Sequence, residues 1–203
     1  MPRPSPHRCV DLSRIAGEAV PGSGRYRMKH LLAVAALAGG LALAANARAA
    51  DLHADMHLAT PTGPGAAIGT ITISQVPSGA MFVTDLKGLP PGPHGFHVHE
   101  NGSCAPGTAN GQPVAAGGAG GHLDPAKTGH HEGPRGHGHL GDLPVLQVAK
   151  NGTAKEHVIA PAIKDITQLR GRALMIHAGG DNYSDKPAPL GGGGGRIACG
   201  VIE

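Results

Sequence analysis

The sequence predicts an all-β sandwich or barrel of about eight short strands in a single domain. Eight runs with β character follow one another between residues 54 and 202. Turn signals such as Val76-Pro-Ser-Gly79 and the hairpin-type pair Asn151-Gly152 separate them, and no stretch carries a convincing helical stripe. Many short strands punctuated by Gly and Pro are typical of sandwiches and barrels.

The expected strands alternate with loops of very different length. Two connections, 100–144 and 178–196, are long, Gly-rich and without a strand pattern, and such loops in compact domains are usually functional or disordered. Here they contain most of the polar residues that could carry chemistry. The expected strands lie in chain order at 54–60, 68–76, 80–86, 94–99, 145–149, 155–160, 172–177 and 197–202.

The N-terminal residues carry the pattern of an export signal. Residues 25–30 are basic, residues 31–45 are almost wholly apolar but too few to span a bilayer, and Ala47-Arg-Ala49 provides a small-residue cleavage site. We therefore expect a signal peptide at 28–49 and a single mature domain at 50–203. Residues 1–27 are expected to be a misassigned or unusually long extension, which leaves Met28 and Met1 as alternative starts.

Removal of this leader reverses the sign of the net charge. Residues 1–49 hold seven of the 17 basic residues but two of the 14 acidic ones, so the remainder carries a net charge of −2. A nucleic-acid partner loses its electrostatic support. The mature part has no second apolar stretch long enough to cross a membrane. We expect a soluble periplasmic protein.

Two cysteines remain after the leader, Cys104 and Cys199. An even pair in an oxidising compartment favours one disulfide, with a two-cysteine metal site and a free reactive thiol as alternatives. A bridge that closes so long a loop would stabilise the fold by about 4 to 5 kcal/mol in the chain-entropy model.

Histidine is the informative residue type. The chain has 14 histidines, 12 of them after residue 49. In the predicted strand 94–99, His97 and His99 share one face while Phe96 and Val98 share the other. His177 ends another apolar strand, 172–177. Three imidazoles on strand faces could form part of a site for zinc, copper or iron.

The first long loop adds further ligands of the same chemical type. Imidazoles and carboxylates without thiolates suit a tetrahedral zinc site, and their clustering on a loop beside the H-x-H strand makes coincidence improbable. The second loop adds Asp181 and Arg196. The candidates in the first loop are His122, His130, His131, His137, His139, Asp124 and Asp142.

Six motifs appear in a fixed order: GFHVHENGSC (95–104), GGHLDP (120–125), HEGP (131–134), GHLGDLP (138–144), GGDN (179–182) and PLGGGGGRIACGVI (189–202). Together they resemble the motif series of bacterial periplasmic copper/zinc superoxide dismutases over nearly all of residues 53–203. The resemblance implies an eight-stranded antiparallel Greek-key barrel or sandwich of immunoglobulin-like type with two long functional loops. It also implies copper and zinc as cofactors and the superoxide anion as substrate.

The resemblance further implies a role for individual residues. Copper would be bound by His97, His99, His122 and His177, and zinc by His122, His131, His139 and Asp142. The imidazole of His122 would bridge the two metals. Asp181 would hydrogen-bond His97 and His131 and fix their orientation. Arg196 would face the copper and anchor the substrate, and Cys104 and Cys199 would form the disulfide.

Several alternatives stay open at this stage. His130 competes with His131, and His137 with His139; we prefer the second of each pair on its motif. His53 and His57 could gather metal near the mature N-terminus or stand on an exposed strand edge. An exported copper/zinc carrier without turnover could use the same fold. Both a monomer and a homodimer are compatible with the sequence.

Overall fold

A computed structural model describes residues 50–109 and 111–203. The expected extension 1–27 and the expected signal peptide 28–49 lie outside these residues. Within the described part of the chain, no helix has the length and apolar character needed to span a membrane.

The described residues form eleven strands. Most are short, and the longest ones come first in the chain. The strands are β1 (Leu52–Thr60), β2 (Gly63–Val76), β3 (Gly79–Leu86), β4 (Gly92–His94), β5 (Phe96–His99), β6 (Gly107–Ala109), β7 (Gln112–Val114), β8 (Leu146–Val148), β9 (His157–Ala160), β10 (Ala173–His177) and β11 (Arg196–Val201).

Seven strands form one antiparallel sheet in the order β5-β10-β11-β1-β2-β3-β9. The neighbours β1, β2 and β3 are consecutive in sequence, whereas β3–β9, β1–β11 and β10–β5 are joined by long connections. The pair β4–β8 links the two ends of this curled sheet, because β4 leads directly into β5 and β8 leads to β9. The predicted all-β Greek-key architecture is confirmed.

Three details differ from the strand pattern expected from the sequence. The single strand expected at 94–99 is divided at Gly95 into β4 and β5. The loop 100–144, expected to be strandless, contains the small ribbon β6–β7. The described part of the two long loops also contains short 3-10 helices at Gly117–Ala119 and Leu190–Gly192. Three-residue strands are too short to produce a recognisable alternation in the sequence.

The hydrophobic core lies between the inner faces of the curled sheet. In β1 the buried positions alternate with exposed ones, so Leu52, Ala54 and Met56 face inward. At the centre Phe82 of β3 and Phe96 of β5 meet edge to face with ring centroids 5.7 Å apart. Phe96 thereby anchors β5 in the core, and the core in turn fixes the strand that carries the H-x-H pair.

The disulfide between Cys104 and Cys199 is present, as expected. It joins the loop after β5 to strand β11 across 95 residues of sequence. Around it lies a small second cluster of buried side chains that includes Ala116, Ala119 and Met175. The disulfide therefore ties the first long loop to the same sheet that supports the histidine-bearing strands.

Candidate metal centre

Strands β5 and β10 place three histidines next to each other. The two strands are antiparallel neighbours, with His97 opposite Met175 and His99 opposite Ala173. His177 ends β10, where its backbone N–H donates to the carbonyl oxygen of Gly95 at 2.8 Å. All three imidazoles are buried. The alternation expected from the sequence thus brings them to one side of the sheet edge.

The free edge of β5 is covered by two pieces of the first long loop. The backbone of Val98 donates to the carbonyl of Gly141 at 2.9 Å and accepts from the N–H of Leu123 at 2.8 Å. These contacts carry His122 and Asp142 against the strand. Gly141 is required here because a Cβ would lie 2.2 Å from the carbonyl oxygen of Val98. One short strand therefore sets four candidate ligands, two of its own and two on the loop.

We call the group His97, His99, His122 and His177 the first cluster. One potential ligand atom from each residue lies within 4.8 Å of the corresponding atom of every other. Backbone carbonyls fix two of the rings, because Nδ1 of His99 lies 2.9 Å from the oxygen of Gly120 and Nδ1 of His177 lies 3.2 Å from that of Gly194. The opposite nitrogens, Nε2 of His99 and Nε2 of His177, face each other at 3.4 Å.

We call the group His122, His131, His139 and Asp142 the second cluster. Its centre is the Asp142 carboxylate, whose Oδ1 lies 3.0 Å from Nδ1 of His122 and 3.3 Å from Nδ1 of His139. Its Oδ2 lies 3.0 Å from Nδ1 of His131. In all three rings the nitrogen that faces the Asp142 carboxylate is Nδ1.

His97 also approaches the second cluster. The tightest grouping there, with all ligand atoms within 4.8 Å, contains His97 in place of His139. However, Nε2 of His97 is 2.8 Å from Oδ2 of Asp181, so that nitrogen already has a partner. This leaves Nδ1 of His97 for a single metal, and His139 is the remaining nitrogen donor beside Asp142.

The Asp181 carboxylate contacts one ring from each cluster. Its Oδ2 contacts Nε2 of His97 and its Oδ1 contacts Nε2 of His131, both at 2.8 Å. Its side chain is completely buried. Because one carboxylate fixes one ring from each cluster, Asp181 sets the orientation of both rings at once.

Burial keeps most of these imidazoles neutral. Desolvation, followed by the charge of neighbouring groups, lowers the pKa of His99 to about 2, of His177 to about 3 and of His122 to about 4. Desolvation also lowers the pKa of His97. Neutral imidazole is the form that binds metal.

His131 and its carboxylates behave differently. Desolvation opposes charge on His131, but hydrogen bonds and charges from Asp142 and Asp181 outweigh it and raise its pKa to about 9. Burial also opposes ionisation of the two carboxyls, yet His122 and His131 hold the pKa of Asp142 well below its usual range, and His131 and His97 do the same for Asp181. The carboxylates of Asp142 and Asp181 therefore favour positive charge at the second cluster.

Arg196 lies at the start of β11, next to the first cluster. Its Nη1 donates to the carbonyl of Ala116 at 2.6 Å, and its Nη2 donates to the carbonyl of Gly120. The guanidinium is close enough to His99 and His177 that its positive charge helps to lower the pKa of both. A guanidinium has five N–H donors, so three remain beyond these two bonds.

The other candidates from the sequence do not join the clusters. His130 and His137 are exposed, whereas His131 is buried and His139 faces Asp142. Asp124 instead accepts hydrogen bonds from Thr128 and Gly129 in its own turn.

Four further histidines lie outside both clusters, and one of them, His157, is exposed on β9. His53 is exposed on the outer face of β1, and Nδ1 of His57 lies 3.1 Å from the carbonyl of Gly65. His94 is buried between the carbonyls of Pro90 and His177.

Two contacting residues were missed by sequence reasoning. Asp185 accepts a hydrogen bond from the backbone N–H of His131 at 3.0 Å, and the hydroxyl of Tyr183 accepts one from Val145 at 3.0 Å. Tyr183 and Asp185 lie two and four residues after Asp181 in the sequence. Nothing in that spacing indicated which loop they would contact.

The donor sets fit the implied metals. Nδ1 of His97 and Nε2 of His122 are buried without a hydrogen-bond partner, and Nδ1 of His131 and Nδ1 of His139 have only the Asp142 carboxylate beside them. Such unsatisfied atoms are costly unless a ligand completes them. Four imidazoles suit copper, and three imidazoles with one carboxylate suit tetrahedral zinc.

Comparison with known proteins gives a consistent result. The family model described as copper/zinc superoxide dismutase (SODC) matches residues 67–202. "Superoxide dismutase [Cu-Zn] 2" of Salmonella typhimurium is 57% identical over 159 residues, which cover 78% of this chain and 92% of the relative. The corresponding protein of Escherichia coli K12 is 55% identical over 163 residues, covering 80% and 94%.

Solved structures agree with these sequence matches. The copper/zinc superoxide dismutase of Brucella abortus superposes with a TM-score of 0.75 at 55% identity, covering 76% of this chain and all of that one. The monomeric copper, zinc enzyme of Salmonella enterica gives 0.68 at 57% identity with the same coverage.

Replacement of Asp181 tests its role in orienting the rings. In Asp181→Ala we expect zinc affinity to fall by roughly 10- to 100-fold, with a smaller loss for copper. His131 stands on a loop and loses its side-chain anchor, whereas His97 is still held by β5. Competition against a chelator for each metal measures the effect, with Asp55→Ala on the outer face of β1 as control. Equal loss of both metals would contradict this assignment.

Proposed function

Because the chain belongs to the copper/zinc superoxide dismutase family, we propose that its two clusters are the copper and zinc sites of that enzyme. The protein dismutes superoxide to O2 and H2O2, with copper and zinc as cofactors. In the proposed assignment the first cluster binds copper and the second binds zinc.

A single observation carries the assignment: the ring of His122 belongs to both clusters. Its Nδ1 is 3.0 Å from Asp142, while its Nε2 is buried, has no hydrogen-bond partner and faces the first cluster. An imidazole gives up its second proton near neutral pH only when a cation is close to each nitrogen. A storage protein would have no need for such a shared ring.

The chain's own groups supply binding, orientation and protons for the reaction. Copper bound in the first cluster supplies the one-electron change between Cu(II) and Cu(I) that dismutation requires. Two superoxide anions and two protons are converted to O2 and H2O2. We infer that Nε2 of His122 takes up a proton in one half of the cycle and delivers it to the peroxide product in the other.

Arg196 is proposed to bind the substrate anion. Its bonds to the carbonyls of Ala116 and Gly120 hold the guanidinium in place and leave donors for a second partner. A guanidinium keeps its charge at any physiological pH, so it acts as a fixed charge and donor and not as an acid. Its position beside His99 and His177 would keep a small anion close to the copper.

The leader and the disulfide support export of the protein. We propose that residues 28–49 direct the chain to the periplasm and that cleavage follows Ala49. The disulfide between Cys104 and Cys199 is of a kind that persists in oxidising compartments.

We also propose that the mature protein is a monomer and not the homodimer that the sequence left open. In the described part of the chain, large exposed hydrophobic side chains are limited to Ile159, Tyr183 and Leu190. Obligate dimers usually bury a larger apolar patch.

Turnover separates the enzyme from the carrier that the sequence left open. We expect the protein loaded with copper and zinc to accelerate superoxide decay far beyond the rate in buffer, and the zinc-only protein to lack this activity. Metal content and superoxide decay are measured on the same sample. Full metallation with only the rate of buffer would favour a carrier.

Replacement of Arg196 tests anion binding. We expect Arg196→Ala to lower the rate by about tenfold or more and to weaken its dependence on ionic strength, because the fixed charge beside the copper is lost. Arg196→Lys keeps the charge and should retain the salt dependence with an intermediate rate. Metal analysis of both variants checks that copper and zinc stay bound. An unchanged rate in Arg196→Ala would remove this residue from the mechanism.

Export and assembly can be tested on protein recovered from the periplasm. N-terminal sequencing should begin at Ala50, and the native mass should match one chain of residues 50–203. An intact N-terminus would contradict the signal peptide, and a doubled mass would favour the homodimer.

A further inference from the structure

The zinc ligands of the proposed function are concentrated in one segment of the first long loop. His131, His139 and Asp142 all lie between residues 131 and 145, which we call the zinc segment. No regular strand or helix lies within this segment, and β8 begins directly after it. A loop of this kind needs contacts from elsewhere to present its ligands in a fixed arrangement.

Two residues of the second long loop hold the two ends of the zinc segment. Oδ2 of Asp185 accepts the backbone N–H of His131 at 3.0 Å, at the first residue. The hydroxyl of Tyr183 accepts the backbone N–H of Val145 at 3.0 Å, at the last. Both bonds go to main-chain atoms, so they fix the path of the segment independently of the ligand side chains.

The ring of Tyr183 makes a third contact inside the segment. It packs so closely against Gly133 that a Cβ at that position would lie 2.6 Å from the ring. Gly133 also has a φ of +70°, which only glycine adopts at low cost. Glycine is thus required both by the backbone conformation and by the approach of the phenol ring.

The second loop is itself braced to make these contacts. Oδ1 of Asp185 accepts the N–H of Leu190 at 3.2 Å, and the N–H of Tyr183 donates to Oδ1 of Asp181 at 2.7 Å. Tyr183 and Leu190 both adopt positive φ, at 58° and 53°. Non-glycine residues enter that region only when the surrounding structure holds them there.

We propose that Tyr183 and Asp185 form a clamp that shapes the zinc segment before zinc binds. They are positioning residues, because their bonds reach the zinc site through the backbone of His131 and Val145. Asp181 orients two ligand rings, whereas the clamp sets where the loop that carries the ligands begins and ends. The proposal rests on the assignment of zinc to the second cluster.

The test uses the full mature protein and three variants that each remove part of the clamp. Tyr183→Phe deletes the acceptor for Val145 but keeps the ring over Gly133. Asp185→Ala deletes both acceptor oxygens, and Asp185→Asn keeps one. Asp165→Ala is the matched control, because Asp165 also accepts a backbone N–H, that of Thr167, but in a 3-10 helix outside both loops.

Metal-free protein gives the first readout. Amide hydrogen exchange at His131 should accelerate in Asp185→Ala, and exchange at Val145 should accelerate in Tyr183→Phe, with neither changed in Asp165→Ala. This measurement needs no metal and tests the clamp separately from the zinc assignment. Unchanged exchange at both amides would overturn the proposal.

Zinc and cobalt titrations give the second readout. We expect zinc affinity to fall about tenfold in Asp185→Ala and in Tyr183→Phe, with Asp185→Asn in between and copper affinity unchanged. Co2+ in the second site should lose intensity in its tetrahedral visible bands. Wild-type affinity in both variants, or an equal loss in Asp165→Ala, would overturn the clamp. Failure of the wild-type protein to bind zinc would instead overturn the proposed function.

Discussion

The structure depends on a property of the imidazole ring: it has two nitrogens, and fixing one of them aims the other. Carbonyl oxygens fix His99 and His177, and the Asp181 carboxylate fixes His97 and His131. The remaining nitrogens converge on two neighbouring points. His97 and His122 both lie near the two clusters, but Nε2 of His97 is held by Asp181, whereas Nδ1 of His122 faces Asp142 and its Nε2 has no hydrogen-bond partner, which is why the proposed bridge falls on His122.

Burial of these rings carries a cost that explains the supporting structure around them. Nδ1 of His97 and Nε2 of His122 have no hydrogen-bond partner, and desolvation disfavours protonation of most of the rings. Such a cluster opposes folding until cations complete it, so metal binding and stability are coupled. The anchoring of β5 by Phe96 in the core, the disulfide and the contacts between the two loops offset this cost in the metal-free protein.

The two clusters are supported by different parts of the fold: the first mainly by paired strands, and the second by contacts between the two long loops. Strands β5 and β10 hold three of the four histidines of the first cluster through regular backbone pairing, while the second cluster depends on loop residues held by Asp181, Tyr183 and Asp185. Arg196 belongs to both parts, since it begins β11 and bonds to carbonyls of the first loop. The proposed copper site is thus built mainly on paired strands, whereas the proposed zinc site lies on loop residues that depend on contacts from the second loop.

The sequence by itself determined the all-β class, the pairing of His97 with His99 on one strand face, and the choice of ligand types, because these follow from local alternation and from motif order. It could not choose between His130 and His131, or between His137 and His139, without the resemblance, since neighbouring loop residues have the same chemistry. Tertiary structure separated them by burial. It also decided the division at Gly95, the ribbon β6–β7 and the contacts of Tyr183 and Asp185. Those features depend on which distant backbone atoms come together, and no local pattern records that.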